Sequence, residues 1–240
     1  MGFVDLSEAS AANAGSPTLR AYVATPPGDG PWPGMLVIHE SFGLTDVVLR
    51  HADRLAAAGY LTLAIDLYSA GGMRRCLVST VRAARRGEGR AFTDLETGRG
   101  WLTASPQCTG KVGVIGFCLG GNFALMLAGT GRYDAAAPNY GELPRDLDGT
   151  MAGACPVVAS YAGRDWLRGS APKLTAALTR AGVPHDVKEY PAAGHSFLNE
   201  GPTGPKILWP LMRMAKIGPE PGSAADAWQR IESFFAEHLR

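Results

Sequence analysis

Cys118 stands in the stretch GFCLGG, where the apolar run KVGVIGF from Lys111 gives way to a helical stripe of Leu119, Phe123, Met126 and Leu127. A thiol at such a turn sits where unpaired backbone N–H groups open a helix, and those groups favour the thiolate, the nucleophilic form. Small residues on either side suit a strained turn with neighbouring chains packed close, the arrangement of a G-x-S-x-G nucleophile elbow with cysteine in place of serine. Dinucleotide binding needs G-x-G-x-x-G after a first strand. Gly113, Gly116, Gly120 and Gly121 lack that spacing, and their turn lies mid-chain.

An elbow without a base and an orienting acid is only a tight turn, so the partners decide the chemistry. Asp165 in SYAGRDWL and His195 in YPAAGHSF follow Cys118 in the order nucleophile, acid, base, each just beyond an apolar run. The C-terminal ends of strands are where open α/β sheets build their sites. Of the other histidines, His51 falls mid-helix, His185 begins a strand, His238 lies in the terminal helix, and His39 precedes the elbow, out of order for the base. Singly, a buried cysteine or a loop-capping Asp or His is commonplace. The ordered set points to covalent acyl chemistry. An oxyanion hole normally takes the N–H after the nucleophile plus one from an early strand–helix loop, which selects Leu119 and, in HESFGL, Ser41. Glu40 beside Ser41 is costly at the end of a buried strand unless paired or functional. It either anchors loop backbone or faces Cys118.

The elements that must position these residues follow from pattern. Runs at GMLVIHE, YLTLAIDL, KVGVIGF, PVVASYAG and HDVKEYP read as strands, several of them buried on both faces. Between them Val48, Ala52, Leu55 and Ala56 share a helix face that Gly59 ends. Ser170 is positioned to cap a helix with Pro172 in its first turn and Gly182 at its end. The last helix opens with the capping-box spacing Ser223 to Asp226 and buries Trp228, Ile231 and Phe235. Alternating strands and helices predict a mostly parallel central sheet with helices on both faces, as one domain over residues 1–240. Two segments break the rhythm, Ser69–Phe92 and Asn199–Gly222. Long loops in a compact domain are usually functional or disordered. The second, 199–222, is read as a lid over a pocket or as a surface excursion packed on the core.

Bulk properties exclude other classes. With 240 residues, 46% hydrophobic, the chain can bury a sizeable core, and a net charge of +1 demands no polyanionic partner such as nucleic acid. No basic and apolar leader and no run of about 18 apolar residues points to a membrane, so a cytoplasmic location is expected. Cys76, Cys108 and Cys155 show no disulfide or CxxC metal spacing and read as structural thiols.

Together HESFGL, GFCLGG, YAGRD and AGHSF resemble the dienelactone hydrolase family, of α/β-hydrolase fold, from Pro33 to the last helix. The resemblance implies Cys118, Asp165 and His195 as catalytic triad, Ser41 and Leu119 as oxyanion donors, and Glu40 as the carboxylate that interacts with the resting thiol. It also implies opening of an unsaturated enol lactone without metal or organic cofactor. Where the family carries a carboxylate-binding arginine after GHSF, this chain has Asn199. A second family arginine falls in Ser69–Phe92, where Arg74 and Arg75 precede the helical pattern and are better placed than Arg82, Arg85 and Arg86. Asn199, Arg74, Arg75 and Trp209 are therefore the candidate substrate contacts.

The residues support a cycle in which thiolate attacks an ester or lactone carbonyl and His195 then activates water on the thioester. A thiolate leaves readily, so good leaving groups are favoured: enol lactones, thioesters and aryl esters over peptides. The expected partner is a small-molecule ester or lactone, and the expected state a monomer or small homo-oligomer. Two other readings remain: a non-catalytic relative that binds a ligand or partner, and an acyltransferase using the same three residues.

Overall fold

A computed structural model describes residues 1–240. Eight strands form one sheet: β1 (Gly2–Asp5), β2 (Arg20–Ala24), β3 (Trp32–Ile38), β4 (Leu61–Ile65), β5 (Cys108–Phe117), β6 (Ala135–Asn139), β7 (Val157–Ala162) and β8 (His185–Tyr190). Their spatial order is β1-β2-β4-β3-β5-β6-β7-β8. The β1/β2 and β2/β4 pairs are antiparallel and all others parallel. Nine helices surround it: α1 (Ser7–Ala12), α2 (Asp46–Ala57), α3 (Met73–Arg86), α4 (Arg90–Ala104), α5 (Leu119–Ala128), α6 (Leu147–Met151), α7 (Ser170–Arg180), α8 (Trp209–Met214) and α9 (Pro221–Leu239). This is the expected α/β-hydrolase architecture. No helix is long and apolar enough to cross a membrane.

The period-2 alternation of strand side chains divides the core between two faces. Leu36, Ile38, Val114 and Phe123 pack on the side of α3–α7, whereas Met35, Val37, Ile115 and Phe117 pack with Leu55, Trp228 and Phe235 of α2 and α9. Strand order reverses between β3 and β5, so a crevice opens where their C-terminal ends diverge, the usual ligand position in open α/β sheets. His39–Ser41 leave β3 there and Cys118 leaves β5 there.

Several expectations are corrected. Ser69–Phe92 is mostly helical, and Arg74 and Arg75 lie inside α3 rather than before it. The helix is strongly amphipathic but polar overall, and its buried face is made of small side chains, Cys76, Thr80, Ala83 and Ala84. Within Asn199–Gly222, α8 follows a 3₁₀ turn (Lys206–Leu208), and Ile207, Leu211 and Met214 are exposed. Ser170 is the first helical residue and caps nothing. The cap position belongs to Gly169 at φ 79°, whose N–H donates to Glu189. The terminal helix is capped by Glu220, which accepts from Gly222 and Ser223 N–H, because Pro221 already occupies the first helical position. Strand β6, AAAPN, breaks two strand rules at once, alanine and an internal proline; its ladder to β7 pairs only Ala136 with Val157 and Asn139 with Ser160.

Candidate active site

The turn between β5 and α5 holds Cys118 at φ 55°, ψ −114°, a conformation an L-residue reaches only at a cost. Its glycines are sterically required. A Cβ on Gly116 would overlap the Gly120 carbonyl, and one on Gly120 would overlap the Ile38 carbonyl at the end of β3. Close approach of these chains therefore fixes the elbow against the loop that carries Glu40 and Ser41. The Cys118 N–H donates to Asn139 O at 3.1 Å, tying the turn to β6 as well. The half-buried sulfur lies 3.8 Å from Ser41 Oγ.

Asp165 follows β7 and His195 follows β8, and adjacent parallel strands bring them together. His195 Nδ1 and Asp165 Oδ2 are 2.6 Å apart and buried. Asp165 Oδ1 accepts from Leu167 N–H at 3.3 Å, so both carboxylate oxygens are used. With Nδ1 bound to the carboxylate, Nε2 is free: buried and without a hydrogen-bond partner. Cys118 lies near enough for a thiolate charge to act on the ring, without a hydrogen bond of normal geometry to Nε2. Burial by itself lowers the pKa of His195, but Asp165 and the Cys118 sulfur together outweigh it and raise it to about 10. The site thus favours the protonated form of the His195 ring.

The loop after β3 is held by its own network. Neutral His39 donates from Nδ1 to Glu40 O (2.6 Å) and accepts at Nε2 from Leu67 N–H (3.2 Å), burial keeping its pKa below the ordinary value. Tyr68 OH donates to Ser41 O at 3.0 Å. Ser41 N–H makes no hydrogen bond, and Leu119 N–H, first in α5, has no intrahelical acceptor. Both expected oxyanion donors are free at the elbow.

Glu40 does not contact the thiol by a hydrogen bond. Its buried carboxylate accepts from Ser196 Oγ (2.8 Å), Thr203 Oγ1 (3.2 Å) and, at both oxygens, Asn199 Nδ2 (3.2 Å). Asn199, expected to meet substrate, is committed here. Its Oδ1 accepts from His51 Nε2 at 3.2 Å, and burial lowers the His51 pKa to about 4, so the ring is neutral. Sequence reasoning missed Ser196, Thr203 and His51, because nothing in their types or spacing links them to Glu40. Replacing Asn199 with Ala strips two bonds from a buried carboxylate and one from His51. Urea denaturation is expected to report a loss of about 2–3 kcal/mol.

The remaining candidates are not gathered at the elbow. Arg74 and Arg75 project from α3 into solvent, Arg75 lying over Gly71. Trp209 donates to Gly204 O at 3.2 Å and lines a groove of about 900 Å³ with Arg164, Gly194, Lys206 and Lys216. That groove backs the turn before His195 and does not include Cys118. Burial pushes the Cys155 thiol up to about 12, which leaves it inert.

A free imidazole nitrogen, a thiol on a strained elbow and two unpaired N–H groups suit acyl transfer. Comparison with known proteins agrees. The model of the dienelactone hydrolase family matches residues 19–239. A "Putative carboxymethylenebutenolidase" of Saccharolobus solfataricus is 26% identical, the match covering 90% of this chain and 93% of that protein. One of Yersinia pestis is 28% identical over 92% and 84%. Among solved structures, a dienelactone hydrolase-like promiscuous phosphotriesterase from metagenomic libraries superposes with a TM-score of 0.81 at 25% identity, covering 99% of this chain and 98% of that one.

Proposed function

The chain belongs to the dienelactone hydrolase family, and on that premise we propose that it hydrolyses small activated esters or lactones through Cys118, with His195 as base and Asp165 as its orienting acid. The observation that carries this reading is the buried 2.6 Å Asp165–His195 pair, which leaves Nε2 free beside an elbow thiol. In the cycle, Nε2 takes the thiol proton and the thiolate adds to the substrate carbonyl. Ser41 and Leu119 N–H groups hold the oxyanion. Collapse expels the leaving oxygen, which takes the proton from the imidazolium, and a thioester remains. His195 then deprotonates water, which adds to the thioester; the carboxylic acid forms and the thiolate returns.

Glu40 serves in this reading as the anchor that joins the oxyanion loop to residues 196–203. The segment 199–222 acts as a cover, pinned near the site by Gly218 N–H to His195 O (2.8 Å) and Glu220 N–H to Phe197 O (3.2 Å). Because a thiolate is a good leaving group, enol lactones, thioesters and aryl esters are the substrate class.

Mixing the protein with p-nitrophenyl acetate tests the proposal. A burst of nitrophenolate followed by steady release, with one acetyl group trapped on Cys118 by intact-mass and peptide analysis, is the expected result. Turnover without a Cys118 adduct, or binding without turnover, would sink it. Transfer of the acetyl group to an added alcohol in preference to water would reassign the chain as an acyltransferase.

A further inference from the structure

Trp166 follows Asp165 directly, and its indole stacks on the His195 imidazole with ring centroids 4.2 Å apart and planes 24° from parallel. The indole is 67% exposed, whereas His195 is 5% exposed. The tryptophan therefore stands between the imidazole and solvent. On the inner side, Tyr140 closes on the same ring at 5.1 Å and 60°. A side chain this exposed adds little to the core, so its placement over the base calls for another account.

We propose that Trp166 is a positioning residue, its indole holding the His195 ring toward Cys118 and favouring the imidazolium through a cation–π contact. The inference rests on reading His195 as the base. An aromatic face carries negative charge density and attracts a cation set over it. It also keeps water from the Asp165–His195 pair, where the carboxylate's influence is greatest when solvent is excluded.

The other groups facing His195 come from three elements. Asp165 approaches from the β7 turn and Cys118 from the elbow, both raising its pKa. Tyr140, after β6, has a hydroxyl with no partner, and burial, Glu40 and Cys118 hold it protonated. Glu40 is one hydrogen bond removed, through Ser196 next in the chain. Trp166, being largely exposed, can be changed without altering charge or the core.

The test is a proton titration of His195, read from its imidazole carbon resonances in histidine-labelled protein and assigned with His195→Asn, for native, Trp166→Leu and Trp166→Phe. Trp166→Leu is expected to lower the midpoint by about half a pH unit or more, which a partly exposed cation–π contact supports. Trp166→Phe should restore most of it. For p-nitrophenyl acetate, kcat should fall with KM unchanged. Coincident titration curves, or a change in KM with an unmoved midpoint, would overturn the proposal. Turnover retained in Cys118→Ala would instead sink the nucleophile reading, and the titration would still decide for or against the role of Trp166.

Discussion

Replacing Cys118 with alanine is expected to lower steady turnover of p-nitrophenyl acetate by about 10⁴-fold or more, leaving what the oxyanion donors contribute alone. The fold should be indifferent. The sulfur makes one long contact, to Ser41 Oγ at 3.8 Å, and the thiol is half-buried. A glycine variant separates strain from chemistry. At φ 55° and ψ −114°, cysteine and alanine both carry a steric penalty that glycine does not. Cys118→Gly should therefore melt above Cys118→Ala, by an amount set by a strain of about 1–3 kcal/mol, while both remain inactive. Stability would then have been sacrificed at this position for a presented nucleophile. Equal melting temperatures for the two variants would deny that the elbow stores strain.

How far such a site can be read in advance depends on what its chemistry constrains. The proposed acyl chemistry would fix residue type and order, and on that ground Cys118, Asp165 and His195 were selected over scattered alternatives such as His51 and His185. Strands β3, β4, β5 and β7 were legible because burial on both faces writes unbroken apolar runs. Strand β6 was not, since its buried positions are alanines and Pro138. The hold on Glu40 was invisible for a different reason. Ser196, Asn199, Thr203 and His51 are ordinary polar residues of a loop and a helix, and nothing short of the folded chain brings Asn199 to a carboxylate so far away in sequence. A rule that a buried carboxylate needs partners predicts that donors exist, not which ones. Trp166 shows the same limit at close range: it is adjacent to Asp165 in the chain, yet its stacking on His195 follows from where β8 delivers the imidazole.

Asp165→Asn is the isosteric change with the sharpest structural consequence. Oδ1 of Asp165 accepts from Leu167 N–H and Oδ2 faces His195 Nδ1. An asparagine that keeps the first bond must put its oxygen at Leu167 and turn its NH₂ toward Nδ1. Nδ1 then becomes the acceptor, the ring proton moves to Nε2, and the nitrogen facing Cys118 can no longer take the thiol proton. Turnover should fall about 10⁴-fold, the effect of holding a triad histidine in the wrong tautomer.

The same substitution carries a pH signature whose sign follows from the raised His195 pKa. A group lifted from its ordinary value of 6.5 to about 10 in the folded state contributes stability that is complete below 6.5 and is lost as pH climbs through about 10. The melting temperature of the native protein should therefore carry a downward component across that window. In Asp165→Asn burial opposes the charged ring without a carboxylate to offset it, so that component disappears and the difference between native and variant shrinks with rising pH. Parallel melting curves from pH 6.5 to 10 would mean that Asp165 orients the ring without stabilising its charge, and the loss of turnover would then belong to the tautomer alone.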